Sequence, residues 1–408
     1  MTTEPLVLVE HQPSASVELT VSQRDALRQL VPGLSISPEP GAVNHYVLTS
    51  GSTVGAARLG DLLVELQPKV GLAPVLFLVS YALNPRGWRD TPAPLSGGTL
   101  AEAIVDVFSR AVARALRPRL LHGYRGQDDT LTTVRGRVRF GDQMRRQAGL
   151  PLPVEVSYDD FTPDVLENRL LRTATDVLGR MRLRHQDSRT AAARLHQQLA
   201  GIEPLPLSRH PPEPTWTRLN ERYRPAVALA RLIIASGGLE ARLGPHDTHA
   251  FLLDMNQVFE RFVRVALREA LRLDATRFPA PSQARQTWLD RRRRIALQPD
   301  LSWWSGTTCL FVGDCKYKRP AGSIPNADVY QMLAYLTAFH LEQGLLLYAR
   351  DEGLPADVAV EAATKYVHVR DIDIAQAPSA VLAQVATAAR LVERLASTRT
   401  PALSVTHR

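Results

Sequence analysis

The pattern of apolar and polar positions in residues 1–117 predicts a small α+β region. Short apolar segments separated by proline and glycine are typical of strands, whereas a longer apolar run favours a helix. On these grounds we predict strands at residues 6–9, 43–49 and 62–66, and helices at residues 74–83 and 100–116. Thr99 is a suitable N-cap for the second helix, and Pro118 follows its end.

Residues 118–240 are predicted to form a middle domain made mainly of helices. Strands at residues 120–124 and 131–140 are expected to pair as a hairpin, because Gly126-Gln127-Asp128-Asp129 between them supplies turn residues. Helices are predicted at residues 165–182, 188–199 and 225–236, and the proline-rich residues 202–217 are expected to be an extended connector.

Residues 241–408 are predicted to form a mixed sheet flanked by helices. A helix at residues 250–271 precedes strands at 287–289, 295–304 and 309–316, a helix at 327–340, and strands at 344–348 and 365–369. The chain is therefore interpreted as a multidomain protein of the α/β and α+β classes. Its predicted domains are residues 1–117, 118–240 and 241–408.

Composition limits the classes of protein to which the chain can belong. Its 408 residues, 45% hydrophobic and 22% charged, are enough for two or three separate cores. No apolar run approaches the roughly 18 residues of a membrane span. The start, Met1-Thr2-Thr3-Glu4-Pro5, has no basic segment leading into an apolar one, so we expect a cytoplasmic location. A net charge of +8 modestly favours a polyanionic partner such as nucleic acid.

A group of charged residues interrupts the apolar strands of the last third. Asp314-Cys315-Lys316 is the only acid-x-lysine sequence in a chain with four lysines, and Pro299-Asp300 ends fourteen residues before Asp314. Residues i and i+2 of a strand share a face, so Asp314 and Lys316 project together. If the two strands pair as a hairpin, Asp300 lies opposite Asp314 and two carboxylates converge.

Two converging carboxylates predict a metal site, because like charges repel unless a cation lies between them. Mg²⁺ takes oxygen ligands and keeps several waters, so Asp300, Asp314 and the main-chain carbonyl of Cys315 are predicted to hold Mg²⁺, with Mn²⁺ as a substitute. The ion would lower the pKa of a bound water, while Lys316 orients or deprotonates that water or stabilises the phosphate charge. The pattern thus predicts an Mg²⁺-dependent phosphodiesterase. Its alternative is a strand-end ion pair of Asp314 and Lys316 beside a turn.

Accessory positions are each open to a functional and a structural interpretation. Glu260 is a candidate third carboxylate of the metal site, or a helix acid paired with Arg264 at i+4. Gln331 is a candidate catalytic residue and Tyr335 a candidate DNA contact, because they share a helix face from which they could hold Lys316 or a phosphate. The structural alternative is that they form the polar edge of a packed helix. Arg291-Arg292-Arg293-Arg294 are candidates to neutralise DNA phosphates, or form a solvated turn.

These motifs together resemble the PD-(D/E)xK nuclease superfamily, with Glu260 ahead of them and Gln331-x-x-x-Tyr335 behind. The phrase Val312-Gly313-Asp314-Cys315-Lys316-Tyr317-Lys318 resembles the nuclease motif of the McrC family in particular. Leu66-Gln67-Pro68-Lys69-Val70-Gly71 and Leu166-Glu167-Asn168-Arg169-Leu170-Leu171 resemble its N-terminal and central segments. Cys315 departs from the small apolar residue that is ordinary at the middle position, but it is small enough to leave the motif intact.

Resemblance to the McrC family implies the nuclease subunit of a modification-dependent restriction system. Such subunits act with McrB, a ring-forming AAA+ GTPase that usually recognises methylated DNA. The resemblance implies that the N-terminal and middle regions dock on this ring and stimulate GTP hydrolysis, while a restriction-endonuclease-like C-terminal domain cuts double-stranded DNA. No Gly-x-x-x-x-Gly-Lys-Ser/Thr sequence occurs, so we predict no nucleotide cofactor site in this chain.

Two other functions remain open at this point. A stand-alone RecB-like or Cas4-like nuclease would share the charged motif, but a Cas4-like enzyme needs four cysteines for its iron–sulfur cluster. This chain has only Cys309 and Cys315, which are expected to share one face of a strand as reduced core residues. A non-catalytic regulator of an AAA+ motor is the second alternative, although a binding domain has no need for such a cluster of charges.

Overall fold

The computed structural model describes residues 5–85, 98–148, 150–181, 183–208, 210–237, 248–317, 324–349 and 357–398. The first elements are β1 Leu6–Val9, β2 Val17–Glu18, α1 Val21–Leu30, β3 Ser35–Pro38, β4 His45–Thr49, β5 Thr53–Leu59, β6 Leu62–Gln67 and α2 Leu72–Leu83. Next come α3 Leu100–Leu116, β7 Gly123–Leu131, β8 Arg137–Val138, α4 Phe140–Arg146, β9 Val154–Thr162, α5 Leu166–Gly179, α6 Gln186–Gln198 and α7 Arg224–Gly237.

The last third completes the mixed α/β chain. Its elements are β10 Thr248–Asp254, α8 Met255–Ala270, β11 Thr287–Trp288, β12 Ala296–Leu297, β13 Leu301–Ser305, β14 Thr308–Lys316, α9 Asn326–Ala338, β15 Gln343–Ala349, β16 Val358–Val360, β17 Lys365–Ile372 and α10 Pro378–Ser397. The sheets have the orders β1-β6-β5-β10, β2-β4-β3, β7-β9-β8, β11-β12 and β13-β14-β15-β17-β16. Among the helices of the described residues, none has the length and hydropathy needed to cross a membrane.

The described chain separates into two compact units. One contains residues 1–56, 61–97 and 252–408, and the other contains residues 57–60 and 98–251. Residues 1–56 and 61–97 of the predicted N-terminal domain share a unit with residues 252–408, whereas residues 98–117 belong to the other unit. Helix α2 packs against helix α8 within the first unit. The predicted boundary near residue 240 lies outside the described residues.

Several predicted elements are confirmed with small shifts at their ends. Strands β1, β4 and β6 and helices α2, α5, α6, α7 and α9 lie where the apolar pattern placed them. Helix α3 begins after Thr99, whose hydroxyl accepts from the Glu102 amide, while the Glu102 carboxyl accepts from the Thr99 amide at 2.9 Å. This capping box satisfies two backbone N–H groups that the first helical turn leaves without partners.

The predicted hairpin of residues 120–140 is wrong. Residues 126–129 form no turn, because strand β7 runs through them and pairs antiparallel with β9, from Gly123 opposite Thr162 to Leu131 opposite Val154. Strand β7 is an edge strand with alternate side chains exposed, so glycine and aspartate are tolerated there without burial of charge. Pairing with a strand some twenty residues further along outweighed the local turn preference.

Two further predictions in the last third need correction. Residues 250–254 belong to strand β10, and helix α8 begins only at Met255, because the Asp254 carboxylate caps it by accepting from the Asn256 amide at 2.9 Å. A short continuous apolar run does not distinguish a buried strand from a helix by its periodicity. The strand predicted at residues 295–304 is also interrupted, and β12 and β13 are separated by residues 298–300.

A bulge changes the expected placement of the cysteines. Strand β13 pairs antiparallel with β14, but Trp303 lies opposite Phe311 and Trp304 lies opposite Cys309, which leaves Leu310 as an extra residue. Cys309 therefore packs in the same apolar cluster as Val312 and Leu346, against helix α9, whereas Cys315 alternates to the other face. Both cysteines are free and buried, as the sequence predicted.

The five-stranded sheet supports the predicted charged residues. Strands β14, β15 and β17 are parallel to one another, and β13 and β16 run antiparallel at the two edges. Met332 and Leu336 of helix α9 join the apolar cluster of Val312 and Leu346 on one face of this sheet. Helix α10, which the sequence analysis did not predict, also packs on β14 together with helix α8. These contacts fix β14 from more than one direction.

Candidate active site

The hairpin of β13 and β14 brings together the two acids that the sequence singled out. Leu301 lies opposite Gly313, so Asp300, one residue before β13, lies opposite Asp314. The Asp300 carboxylate accepts a hydrogen bond from the Cys315 amide at 2.9 Å. Because β13 pairs with β14 only as far as Gly313, the Cys315 amide donates to this carboxylate and not to a backbone carbonyl of β13. The bond holds the Asp300 carboxylate against the strand that carries Asp314.

Lys316 lies on the same face as Asp314 and connects it to helix α9. The Lys316 Nζ is 2.5 Å from Asp314 Oδ2 and donates a hydrogen bond to Gln331 Oε1 at 2.9 Å. Gln331 Nε2 donates to the Tyr335 hydroxyl at 2.8 Å, and that hydroxyl donates to the Gln298 carbonyl at 3.2 Å. A continuous polar chain therefore runs from the strand through the helix to the segment that precedes Asp300.

Burial and mutual repulsion control the charges of these groups. Burial, followed by the charges of Asp314 and Glu260, raises the pKa of Asp300 to about 8. Burial, followed by Asp314 and Asp254, raises the pKa of Glu260 to about 7. Burial opposes the charged form of Lys316, but the adjacent Asp314 outweighs it and raises the lysine pKa. The carboxyl groups thus repel one another strongly enough to favour either a proton or a cation among them.

The donor set of this cluster fits a hard divalent cation. Asp314 is 1% exposed, and its Oδ2 accepts no hydrogen bond of normal geometry although the lysine ammonium lies beside it. Two carboxylates and a main-chain carbonyl are oxygen ligands of the kind that Mg²⁺ prefers while it keeps several waters. Within the described ranges, no three His, Cys, Asp or Glu side chains converge closely enough to hold a metal by themselves. The arrangement therefore fits Asp300 and Asp314 as ligands better than it fits Glu260 as a third.

The surroundings of Glu260 and Tyr335 distinguish their functional roles from their structural ones. Glu260 and Arg264 form no ion pair within 4 Å in the described part of the chain, so the simple helix pair is not formed. Burial lowers the pKa of Arg264. Tyr335 is 4% exposed and its hydroxyl is occupied by protein groups, which favours the role of supporting Gln331 over direct contact with DNA.

The predicted basic run lies in an exposed turn. Arg291, Arg292, Arg293 and Arg294 are exposed between β11 and β12. The Asp290 carboxylate accepts from the Arg294 amide at 2.7 Å and from its Nε at 2.9 Å, and it accepts from the Ile295 amide at 3.0 Å. Asp290 therefore organises the turn and pairs with Arg294, and the other three guanidinium groups form no ion pair with described residues.

Comparison with known proteins identifies the family. The family model described as McrBC 5-methylcytosine restriction system component matches residues 48–349, which is most of the chain. The chain belongs to this McrBC family. The resemblance predicted from the sequence is thereby confirmed, and the matched range includes the site residues Glu260, Asp300, Asp314, Lys316 and Gln331.

Two solved structures are similar to this McrBC-family chain. One is a refined half-complex from the tetradecameric assembly of Thermococcus gammatolerans McrB AAA+ hexamers with bound McrC. It has a TM-score of 0.54 and 17% identity, and the match covers 94% of this chain and 100% of that chain. The other is the cryo-EM structure of the Thermococcus gammatolerans McrBC complex, with a TM-score of 0.42, 20% identity, and coverage of 66% and 88%. No curated protein matches the chain.

One acid of the McrBC-family chain near the site was not found by sequence reasoning. Asp328, in the first turn of helix α9, is 3% exposed and accepts a hydrogen bond from the Tyr348 hydroxyl at 2.8 Å. Tyr348 pairs with Lys316 across β14 and β15, and Asp328 contributes to the raised pKa of this lysine. The signal in the sequence was its spacing of three residues before Gln331, which puts both on one helix face. Lys318, the last residue of the motif, lies outside the described residues.

Proposed function

We propose that this chain is the McrC-like nuclease subunit of a modification-dependent restriction system. It would cleave double-stranded DNA by Mg²⁺-dependent phosphodiester hydrolysis. The observation that carries the proposal is the convergence of Asp300 and Asp314 beside Lys316, whose Nζ is 2.5 Å from Asp314. A strand-end ion pair alone does not explain a second buried carboxylate with its pKa raised to about 8.

The order of elements supports a PD-(D/E)xK type of nuclease domain. Helix α8 carries Glu260, the β13–β14 hairpin carries the two aspartates and the lysine, and helix α9 carries Gln331. Membership of the McrBC family over residues 48–349 supports the same assignment. A stand-alone nuclease of the RecB type would need only the C-terminal part, whereas the family match begins well before it.

Each residue has a defined part in the proposed reaction. Asp300, Asp314 and the Cys315 carbonyl would hold Mg²⁺, with Mn²⁺ as a substitute. The ion, when bound, supplies a water of lowered pKa and neutralises charge on the phosphate. Lys316 orients the attacking water or stabilises charge on the phosphate, and Gln331 fixes its ammonium at 2.9 Å. Glu260, whose pKa is raised by burial and then by Asp314 and Asp254, would supply a third carboxyl group to the metal site, directly or through water.

The partner and substrate are proposed from the family and from charge. We propose that an McrB-like AAA+ GTPase ring binds this chain, which would stimulate GTP hydrolysis, and a solved complex of similar fold contains McrB hexamers with bound McrC. Arg291, Arg292, Arg293 and Arg294 would neutralise DNA phosphates. The family description implies DNA with methylated cytosine as the substrate class. We also propose a cytoplasmic location for the chain.

A cleavage assay with Asp314→Ala tests this function. Wild-type chain and variant are incubated with methylated or unmethylated DNA and Mg²⁺, each with and without the AAA+ partner and GTP. Cleavage that requires the partner, methylation, GTP and Asp314 supports the proposal. Cleavage without the partner would support a stand-alone nuclease. No cleavage, with stimulated GTP hydrolysis, would support a non-catalytic regulator.

A further inference from the structure

A buried hydrogen bond joins the end of strand β14 to the N-terminal sheet. The Tyr317 hydroxyl donates to Glu10 Oε2 at 3.0 Å across 307 positions of sequence, and both side chains are 1% exposed. Tyr317 follows Lys316 directly, and Glu10 continues strand β1, where its amide donates to the Gln67 carbonyl at 3.0 Å. The contact therefore connects the catalytic strand to a sheet that contributes no proposed catalytic group.

The chain holds Glu10 and Tyr317 in place from several sides. Glu10 Oε2 also accepts from the Lys69 amide at 3.4 Å, and the Lys69 Nζ lies 5.9 Å from the centroid of the Tyr317 ring. On the other side the ring packs on Phe259, with centroids 6.2 Å apart, and Phe259 precedes Glu260 on helix α8. A buried carboxyl group is costly unless it is hydrogen-bonded, so this arrangement resists displacement.

The last residues of β14 depend on such side-chain contacts because the strand ladder is incomplete there. Strand β13 pairs with β14 only as far as Gly313, whereas β15 continues to pair through Lys316. On the β13 side the segment 314–316 is held by the Asp300 carboxylate, through the Cys315 amide. Lys316 is held by Gln331 of helix α9, and the hydrogen bond of the next residue, Tyr317, is a further fixed point of the segment that carries Asp314 and Lys316.

We propose that Glu10 and Tyr317 are positioning residues for phosphodiester cleavage, which fix the end of β14 so that Asp314 and Lys316 keep their mutual geometry. This inference rests on the proposed nuclease function. Neither residue contacts the reacting atoms in this proposal. Small displacements of catalytic groups reduce rates severely, by about 100-fold for roughly 1 Å. Loss of one anchoring bond is therefore expected to lower the rate without removing any catalytic group.

Tyr317→Phe is the primary test, because it removes the hydroxyl and keeps the ring that packs on Phe259. Full-length protein is assayed with its AAA+ partner, GTP, Mg²⁺ and methylated DNA. We expect kcat to fall about tenfold while KM for DNA stays within about twofold, since no DNA contact is lost. Glu10→Ala should have the same effect, Glu10→Gln should restore most activity because it keeps an acceptor, and Glu10→Ala with Tyr317→Phe should be no worse than either alone.

A matched control separates positioning from loss of stability. Tyr223→Phe, in the other compact unit, removes an equally buried hydroxyl that accepts from the Leu121 amide at 2.8 Å. It should lower Tm to a similar extent but leave kcat unchanged. Hydrogen exchange at the amides of residues 314–317 should increase in Tyr317→Phe and not in the control.

The outcomes distinguish this inference from the function on which it rests. If wild-type protein cuts, Asp314→Ala does not, and Tyr317→Phe keeps wild-type kcat, the positioning role is overturned while the nuclease function stands. If both control and Tyr317→Phe lose kcat in proportion to Tm, the effect is only structural and the inference is again overturned. If wild-type protein does not cut, or Asp314→Ala cuts equally well, the proposed function fails and the positioning role fails with it.

Discussion

Replacing Asp300 by asparagine is expected to stabilise the metal-free protein while it abolishes cleavage. Asp300→Asn keeps the size of the side chain and an oxygen that accepts from the Cys315 amide, now 2.9 Å away. It removes a carboxyl group whose pKa is raised to about 8 by burial and by Asp314 and Glu260. Repulsion among the acids is thereby relieved, but one of the two proposed metal ligands is lost.

The magnitude and sign follow from the difference between folded and unfolded pKa values. The unfolded carboxyl has the ordinary pKa of 3.8, so between pH 4 and 8 it is ionised while the folded Asp300 stays largely protonated. Folding then takes up a proton, and the free energy of unfolding falls as pH rises through this range. At pH 7 the penalty has a ceiling of roughly 4 kcal/mol, since one pKa unit corresponds to about 1.4 kcal/mol. Relaxation of the site reduces it, so we expect a gain of about 2 kcal/mol.

Urea denaturation in EDTA at pH 5 and pH 8 measures this effect. The gain in unfolding free energy of Asp300→Asn over wild type should be larger at pH 8, and Mg²⁺ should stabilise wild type more than the variant. Asp290→Asn is a control in which the unfolding free energy should fall and not rise, because hydrogen bonds from the Ile295 amide and from Arg294 stabilise the charged form and lower the pKa of Asp290. If Asp300→Asn is less stable than wild type, or if its gain over wild type is the same at pH 5 and pH 8, the electrostatic account of the site is refuted.

Three further predictions address other parts of the chain. Gln331→Leu removes the hydrogen-bond acceptor of Lys316 and should lower kcat roughly tenfold, which corresponds to about 1.4 kcal/mol. DNA affinity in filter binding should not change, and an unaltered kcat would contradict a role for the polar chain of Lys316, Gln331 and Tyr335. The combined change of Arg291, Arg292 and Arg293 to serine should reduce the salt slope of DNA binding by at most about 3 in anisotropy titrations, whereas no change in slope would identify a solvated turn. Glu102→Ala should lower the unfolding free energy by about 2 kcal/mol in urea at pH 7, because its carboxylate accepts amides on two segments, at 2.9 Å from Thr99 and 2.8 Å from His185. Burial opposes the charged form of Glu102, but these amides outweigh burial and lower the pKa of Glu102. The difference in unfolding free energy between wild type and Glu102→Ala should therefore shrink as pH falls below the ordinary pKa of 4.5. A difference that does not change with pH would show that the Glu102 carboxylate is not the stabilising group.

Local sequence determined the elements that need no distant partner. The amphipathic pattern and the Thr99 cap defined α3 to the residue, because a capping box is made within four positions of one helix. The i and i+2 spacing likewise put Asp314 and Lys316 on one face of β14, since alternation is a property of any strand. The order of the two strands was enough to predict that Asp300 and Asp314 would come together, but the register that puts them opposite each other depends on the bulge at Leu310. Without that bulge, Trp304 opposite Cys309 would place Asp300 opposite Gly313.

Only the tertiary structure decided the features that depend on partners far away in the chain. Residues 126–129 had turn chemistry, yet pairing with β9 made them a strand, and a bulge at Leu310 moved Cys309 to the opposite face from Cys315. The 307-residue separation of Glu10 and Tyr317 has no local signature, because a single hydrogen bond imposes no periodicity on either segment. The raised pKa of Asp300 is of the same kind, since burial and neighbouring charges exist only once the chain has folded.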